Sequence, residues 1–218
     1  MGEHHPGQDH PVMDEAFWDG RYNSSSALWS GRPNIHLVAE AAGLVPGAAL
    51  DVGCGEGADA IWLAERGWRV TAVDVSTVAL ERAAAHAATA GDEVSRRINW
   101  LHADVIDWVP AAESYDLVSA QFMHLPSAQR ELLHRRIAES VAPGGTLLVV
   151  GHHPSDMQTT MPRPQMPELF FAPADVAALL GPGEWVTLVE KARPRLASDP
   201  DGRTVTIHDA VLRAQRTG

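Results

Sequence analysis

A doubly wound α/β sheet is the fold class this sequence predicts, and three observations carry it. Five short apolar runs lie between residues 48 and 153: AALDVGCG (48–55), RVTAVDVS (69–76), INWLHADV (98–105), YDLVSAQF (115–122) and TLLVVGHH (146–153). Helical patterns alternate with them, over about 58–66, 77–90 and 127–140. Runs this apolar belong to strands buried on both faces, and alternation with helices calls for parallel crossovers. Glycines and prolines fall at the expected stops, at Gly67 and at Pro143-Gly144-Gly145.

The flanks follow the same logic. Residues 1–13 are polar and rich in His and Pro, so they are expected to form a disordered tail, with His4, His5 and His10 as a solvated tract. Asp14 can cap a helix that includes Ala16, Phe17 and Trp18. The stretch from Leu28 to Pro33 breaks it, and Asn34 caps a second helix with Leu37, Val38, Ala41 and Leu44 on one face. Residues 14–47 thus form N-terminal cap helices on a single domain spanning 14–218. After residue 184 the pattern changes again. Trp185–Arg195 and Arg203–Ala214 are strand-like and joined by a stretch ending in Asp201-Gly202, which suits an antiparallel hairpin.

Composition narrows the function. The 218 residues are 45% hydrophobic and 21% charged, near the globular average. No apolar run approaches the roughly 18 residues of a membrane span, and the first residues lack a secretory pattern. A single cysteine, Cys54, excludes an internal disulfide and suits a reducing cytoplasm. With 17 basic against 28 acidic residues the formal charge is −11, which opposes binding along a phosphate backbone. The expected partner is a small molecule rather than nucleic acid or membrane.

The chemical signal is Asp51-Val52-Gly53-Cys54-Gly55-Glu56-Gly57, which ends the first strand and opens a helix. Glycines there let a ligand approach bare backbone. Asp74 ends the second strand and is placed to accept hydrogen bonds from both hydroxyls of a ribose. Asp104 ends the third run and can meet an adenine amino group, with Val75 and Val105 placed to sandwich the base. The competing role for both acids is to cap the helices that follow. Gly53-x-Gly55-x-x-Ala58 also fits a loose dinucleotide fingerprint, so an NAD-dependent oxidoreductase is the alternative. A pyrophosphate would, however, lie against Asp51 and Glu56, whereas a ligand bearing an amine and a sulfonium would be welcome.

DVGCGEG, Asp74, HADV, YDLVSAQFMHL and APGGTLLVV together resemble the motif series of class I S-adenosylmethionine-dependent methyltransferases over roughly residues 48–153. Trp18-x-x-x-Tyr22 and Trp29-Ser-Gly-Arg32-Pro are similar to the small-molecule branch that includes tellurite-resistance and thiopurine-type enzymes. The resemblance implies a Rossmann-like seven-stranded sheet of order 3-2-1-4-5-7-6 with strand 7 antiparallel. It implies that S-adenosyl-L-methionine binds with its methionine end on Gly53, Gly55 and Gly57, and that S-adenosyl-L-homocysteine is the product. Asp74 would hold the ribose, Asp104 the adenine, and Gln121 would lie beside the sulfonium. Trp29 would fold over the cofactor. A non-catalytic module that binds the same cofactor is a further alternative.

The acceptor side is less defined. Methyl transfer needs mainly in-line positioning and shielding, with a base where the nucleophile must lose a proton. His124, just past the fourth strand, is the candidate base, against the plainer role of orienting its loop. His152 and His153 are adjacent in a strand, so at most one faces the pocket. His208 is expected to be structural. Residues 154–173 contain five prolines, three methionines and Phe170-Phe171, and are expected to form a lid, with Arg163 available to an anionic acceptor. Cys54 is expected to line the cofactor rather than act as a nucleophile. Trp62, Trp68, Trp100 and Trp108 are expected in the core. The expected acceptor atom is N, O or S, with selenium or tellurium in the same soft class. Its identity and the oligomeric state stay open.

Overall fold

The computed structural model describes residues 13–164 and 166–218. The histidines of the N-terminal tract lie outside the described residues. Met13, placed at the end of the expected tail, packs on Met166, Leu169 and Phe170.

The sheet has seven strands: β1 (Ala48–Val52), β2 (Arg69–Asp74), β3 (Ile98–His102), β4 (Tyr115–Gln121), β5 (Val141–His152), β6 (Trp185–Ser198) and β7 (Thr204–Arg216). Their order is β3-β2-β1-β4-β5-β7-β6. The first five pair in parallel, and β7 runs antiparallel between β5 and β6. This is the order and the reversed strand that the resemblance implied. The β6–β7 turn is closed by Asp199, whose Oδ1 accepts the Asp201 and Arg203 N–H groups. Gly202 supplies the positive φ of 78° that this turn requires.

Leu50, Leu117, Leu147, Leu148 and Leu212 are fully buried at the centre of the sheet. Each such side chain is worth about 1.5–3 kcal/mol relative to exposure. The helices are α1 (Glu15–Asn23), α2 (Ile35–Ala41), α3 (Ala58–Glu65), α4 (Thr77–Ala90), α5 (Asp92–Ser95), α6 (Ser127–Glu139) and α7 (Pro173–Ala177). Asp14 caps α1 by accepting the Phe17 N–H, and Asn34 caps α2 by accepting that of His36. Trp62 and Trp68 are buried, and Trp100 and Trp108 pack against the two halves of the core.

Three boundaries differ from the sequence reading. β5 begins at Val141 and continues through Pro143-Gly144-Gly145. The chain keeps pairing on both sides of that kink, with a register irregularity near Tyr115 and Leu117 of β4. β3 stops at His102, so Asp104 lies two residues beyond the strand, in a turn that its own carboxylate caps. The lid is not structureless: it contains 3₁₀ turns at Pro154–Gln158 and Pro167–Leu169, and Phe170 and Phe171 are buried.

Candidate active site

A cavity of about 840 Å³ opens at the carboxyl ends of the parallel strands. Parallel sheets of this topology leave a crevice where the chain reverses its winding direction, between β1 and β4. The cavity is lined there by Gly53, Cys54 and Gly55 after β1, by Asp74 and Val75 after β2, and by Asp104 and Val105 after β3. Gln121 and His124 close it from the β4 side, and Trp29 from the N-terminal segment.

The glycine loop is tied to the neighbouring strand. Gly53 and Cys54 donate their N–H groups to the Val73 carbonyl at 2.8 and 3.0 Å. Gly53 and Gly55 have φ of 69° and 52°. A Cβ on Gly53 would lie 2.2 Å from Met123 Sδ, and one on Gly55 would lie 2.9 Å from the Tyr22 hydroxyl. Both glycines therefore meet a conformational and a spatial requirement that other residues do not. Gly57 differs. Its Cβ would meet Trp100 and Ala83 at 2.7 and 2.9 Å, and it does not line the cavity. Gly57, with no side chain against these neighbours, lets α3 sit close to α4 and the sheet.

Asp74 is nearly buried. Its Oδ2 accepts the Gly55 N–H at 2.8 Å and its Oδ1 that of Ser76 at 2.9 Å. Each oxygen keeps a further lone pair, and the residue lines the cavity. Burial raises its pKa, and the hydrogen bonds from Ser76 and Gly55 oppose the rise without cancelling it. Asp104 is exposed at the rim, and its Oδ1 accepts the Ile106 N–H at 2.8 Å.

Asp51 lies beneath the loop rather than in the cavity wall. It is 2% exposed, and its Oδ2 has no hydrogen-bond partner among the described residues. Burial, then the neighbouring Asp59 and Asp74, push its pKa well above the usual carboxylate range. Asp59, which the sequence reading did not single out, lines the cavity. Its Oδ1 accepts the Asn34 N–H at 2.6 Å, and burial raises its pKa to about 6. Its signal was its place in the first turn of α3, two residues past the last loop glycine.

Glu56 was expected to add negative charge at the loop. Instead it pairs with Arg82 at 3.0 Å and accepts the Leu28 and Trp29 N–H groups at 3.2 Å. Arg82 also donates to the Tyr22 carbonyl. Asp51, Asp59 and Asp74 are therefore the acids near the loop with no ion pair among the described residues. The Trp29 indole N–H donates to the Tyr22 hydroxyl at 3.0 Å, which fixes both rings above Gly55. Cys54 is not activated: burial, then Asp51 and Asp74, raise its thiol well above the ordinary value.

At the other end of the cavity, rings form a wall. His124 lies 6.3 Å from Trp18 and 5.6 Å from His152, and His152 lies 4.8 Å from Phe122 and 6.0 Å from Phe170, all between ring centroids. Burial, then Arg21 and Arg163, lower the His124 pKa to about 4. Burial also lowers that of His152 to about 4. Both are neutral imidazoles near pH 7. His153 points elsewhere and meets Ser155 at 3.0 Å, the alternation expected of a strand end. Arg163 binds the fully buried Asp156 at 2.9 Å, anchoring the lid, and its charge acts on His124 and His152. Trp18, Arg195 and Asp209 also line the cavity. They come from distant segments, and their convergence depends on strand register that the sequence does not display.

Residues 49–145 match the family described as "Methyltransferase domain". This stretch, a little under half of the chain, is similar to a methyltransferase domain. An uncharacterized methyltransferase of Mycobacterium tuberculosis is 38% identical to it over 122 residues, 54% of this chain and 58% of that one. A probable thiol methyltransferase 2 of Arabidopsis thaliana is 30% identical over 150 residues, 65% of each chain. The chain thus spans about three fifths of these curated relatives. TehB from Haemophilus influenzae shares the fold, with a TM-score of 0.68 at 20% identity over 94% of this chain and 67% of that one. The glycine loop, Asp74, Asp104 and Gln121 lie inside the matched block. Trp18, Trp29, His152, Arg195 and Asp209 lie outside it. Among the described residues no helix is long and apolar enough to cross a membrane, and no group of three or more His, Cys, Asp or Glu is placed to hold a metal.

Proposed function

We propose that this protein transfers a methyl group from S-adenosyl-L-methionine to an N, O or S nucleophile of a small molecule. The observation that carries the reading is the set of carboxylates at Asp51, Asp59 and Asp74 around a bare-backbone loop, on the wall and floor of a nucleoside-sized cavity. The buried Asp51 Oδ2 and Gln121 Oε1 lack partners among the described residues, and a cationic adenosyl amino acid offers both charge and donors. A dinucleotide would bring its pyrophosphate against the same acids, which counts against the oxidoreductase alternative.

When bound, S-adenosyl-L-methionine supplies a methyl group already activated on a sulfonium. The chain's own residues bind, orient and shield. Asp74 accepts from the ribose, Asp104 from the adenine amino group, and Val75 and Val105 flank the base. Gly53, Cys54 and Gly55 take the methionine end on their backbone, with Asp59 supplying the opposing charge and the buried Asp51 favoured in its ionised form once a cation lies beside it. Gln121 presents its carboxamide between the two halves of the cavity. Trp29, held by Tyr22 and Glu56, covers the opening and excludes water. His124, neutral and desolvated, accepts the proton that an attacking O–H, S–H or N–H must release. The thiol named in the Arabidopsis relative is compatible with a sulfur nucleophile.

Calorimetric titration with S-adenosyl-L-homocysteine and with NADH tests the reading directly. Saturable binding of the first and none of the second is expected; the reverse would overturn it.

A further inference from the structure

The ring-walled end of the cavity carries a polar pair that the donor half does not use. His152, at the end of β5, stands in register with Asp209 on β7, and both line the cavity. Asp209 is 1% exposed. Its Oδ2 accepts from His36 Nε2 at 3.0 Å and from Arg195 Nε at 2.7 Å. Its Oδ1 and the Nδ1 of His152 are both buried, and neither has a hydrogen-bond partner among the described residues. A buried carboxylate oxygen left without a donor is costly, so such an atom points to a ligand group that supplies one. Burial pushes the Asp209 pKa up, but the hydrogen bonds from His36 and Arg195 outweigh it and hold the carboxyl below its ordinary value. Asp209 is therefore an ionised, acceptor-only group whose charge is balanced by Arg195.

Around this pair stand Trp18, Phe122, His124 and Met166, which give the space a flat, apolar lining. Aromatic faces and a thioether suit a planar ligand body. The lining asks for a ring, and Asp209 asks for a hydrogen-bond donor on it.

We propose that the methyl acceptor is a neutral aromatic or heteroaromatic molecule that carries, besides its nucleophilic atom, an N–H or O–H group donated to Asp209 Oδ1. His152 Nδ1 makes the adjacent contact. The inference rests on the methyltransferase reading above and narrows its substrate class. A small inorganic anion has no hydrogen-bond donor to offer Asp209 Oδ1 and would leave the rings uncovered.

The test uses the full chain and a labelled methyl donor. The probes are 3-hydroxybenzyl mercaptan against 3-methoxybenzyl mercaptan, catechol against 2-methoxyphenol, and sulfide and selenite as inorganic anions. The donor-bearing member of each pair is expected to show a KM at least tenfold lower than its methoxy partner, with both inorganic anions poorer still. Asp209→Asn is expected to raise KM for the donor-bearing probes at least tenfold. It should spare kcat and the affinity for S-adenosyl-L-homocysteine. Equal KM values within both pairs, preference for an inorganic anion, or an unchanged KM in the variant would overturn the proposal. Because Asp209 also holds His36 and Arg195, calorimetry of the same pairs on the unmodified protein saturated with S-adenosyl-L-homocysteine gives a readout independent of the variant's folding. Equal affinity within each pair there sinks the proposal. Binding of S-adenosyl-L-homocysteine without methylation or binding of any ring probe overturns the acceptor class alone. Failure to bind S-adenosyl-L-homocysteine overturns the methyltransferase reading itself.

Discussion

Replacing Asp74 by alanine separates a ribose contact from a structural cap. The carboxylate spends one lone pair of each oxygen on the Gly55 and Ser76 N–H groups, at 2.8 and 2.9 Å, and turns the others toward the cavity. A hydrogen bond to a charged group contributes about 1.5–3 kcal/mol. Two ribose hydroxyls lost together therefore amount to about 3–6 kcal/mol, or roughly a 10²–10⁴-fold loss of affinity. The variant also frees two backbone donors at the loop, so a loss of affinity alone is ambiguous. The assay is a calorimetric cycle with S-adenosyl-L-homocysteine and its 2′,3′-dideoxy analogue on the unmodified and Asp74→Ala proteins. The hydroxyl-bearing ligand is expected to lose at least a hundredfold and the dideoxy analogue far less. Equal losses for both ligands would refute the ribose contact and leave Asp74 as a loop clamp.

Gly53→Ala would hold a Cβ in left-handed backbone, at a cost of about 1–2 kcal/mol, and force Met123 into the cavity. It is expected to weaken S-adenosyl-L-homocysteine binding at least tenfold by calorimetry while α3 remains folded by circular dichroism. His124→Gln is expected to lower kcat on a proton-bearing acceptor by about 10²-fold with little change in donor affinity. With its pKa held near 4, the unmodified enzyme should show an acidic limb of kcat/KM near that pH and a flat profile through neutrality. Stability should fall on acidification. His134, His124 and His152 have folded pKa values of about 3, 4 and 4, all below the unfolded value of 6.5, so the unfolded chain binds more protons in this window. Their contribution is fully present above about pH 6.5 and is lost as pH falls toward 4. His134→Gln, remote from the cavity, should flatten the decline in melting temperature between pH 7 and 5.

The sheet was legible because β1, β2, β4 and β5 each hold a run of buried apolar residues at their centre, and that burial on both faces is written into a short local stretch of sequence. The loop glycines and Asp74 were legible for a related reason: the backbone turn and the strand end dictate residue type locally. Glu56 was misread because its partner, Arg82, lies 26 residues on, and an ion pair between the loop and α4 leaves no local trace. Gly57 shows a packing demand that the sequence could not display, since a glycine demanded by helix packing looks the same as one demanded by a ligand. Arg163 faced a similar ambiguity, and a fully buried Asp156 within its own segment claimed it. Asp209 was invisible as a site residue. Only the antiparallel register sets it beside His152, and register is fixed by pairing between strands more than fifty residues apart.

The two halves of the cavity have different sequence origins. The donor half, from Gly53 to Val105, falls inside the block shared with the methyltransferase domain family, whereas Trp18 and Trp29 precede that block and His152, Met166, Arg195 and Asp209 follow it. Under the proposed function, selection could therefore rewrite the acceptor by altering these flanks while the half that meets the methyl donor stays as it is. A chimera that exchanges residues 13–47 and 146–218 for those of a relative should take up the relative's preference and keep this protein's grip on the methyl donor.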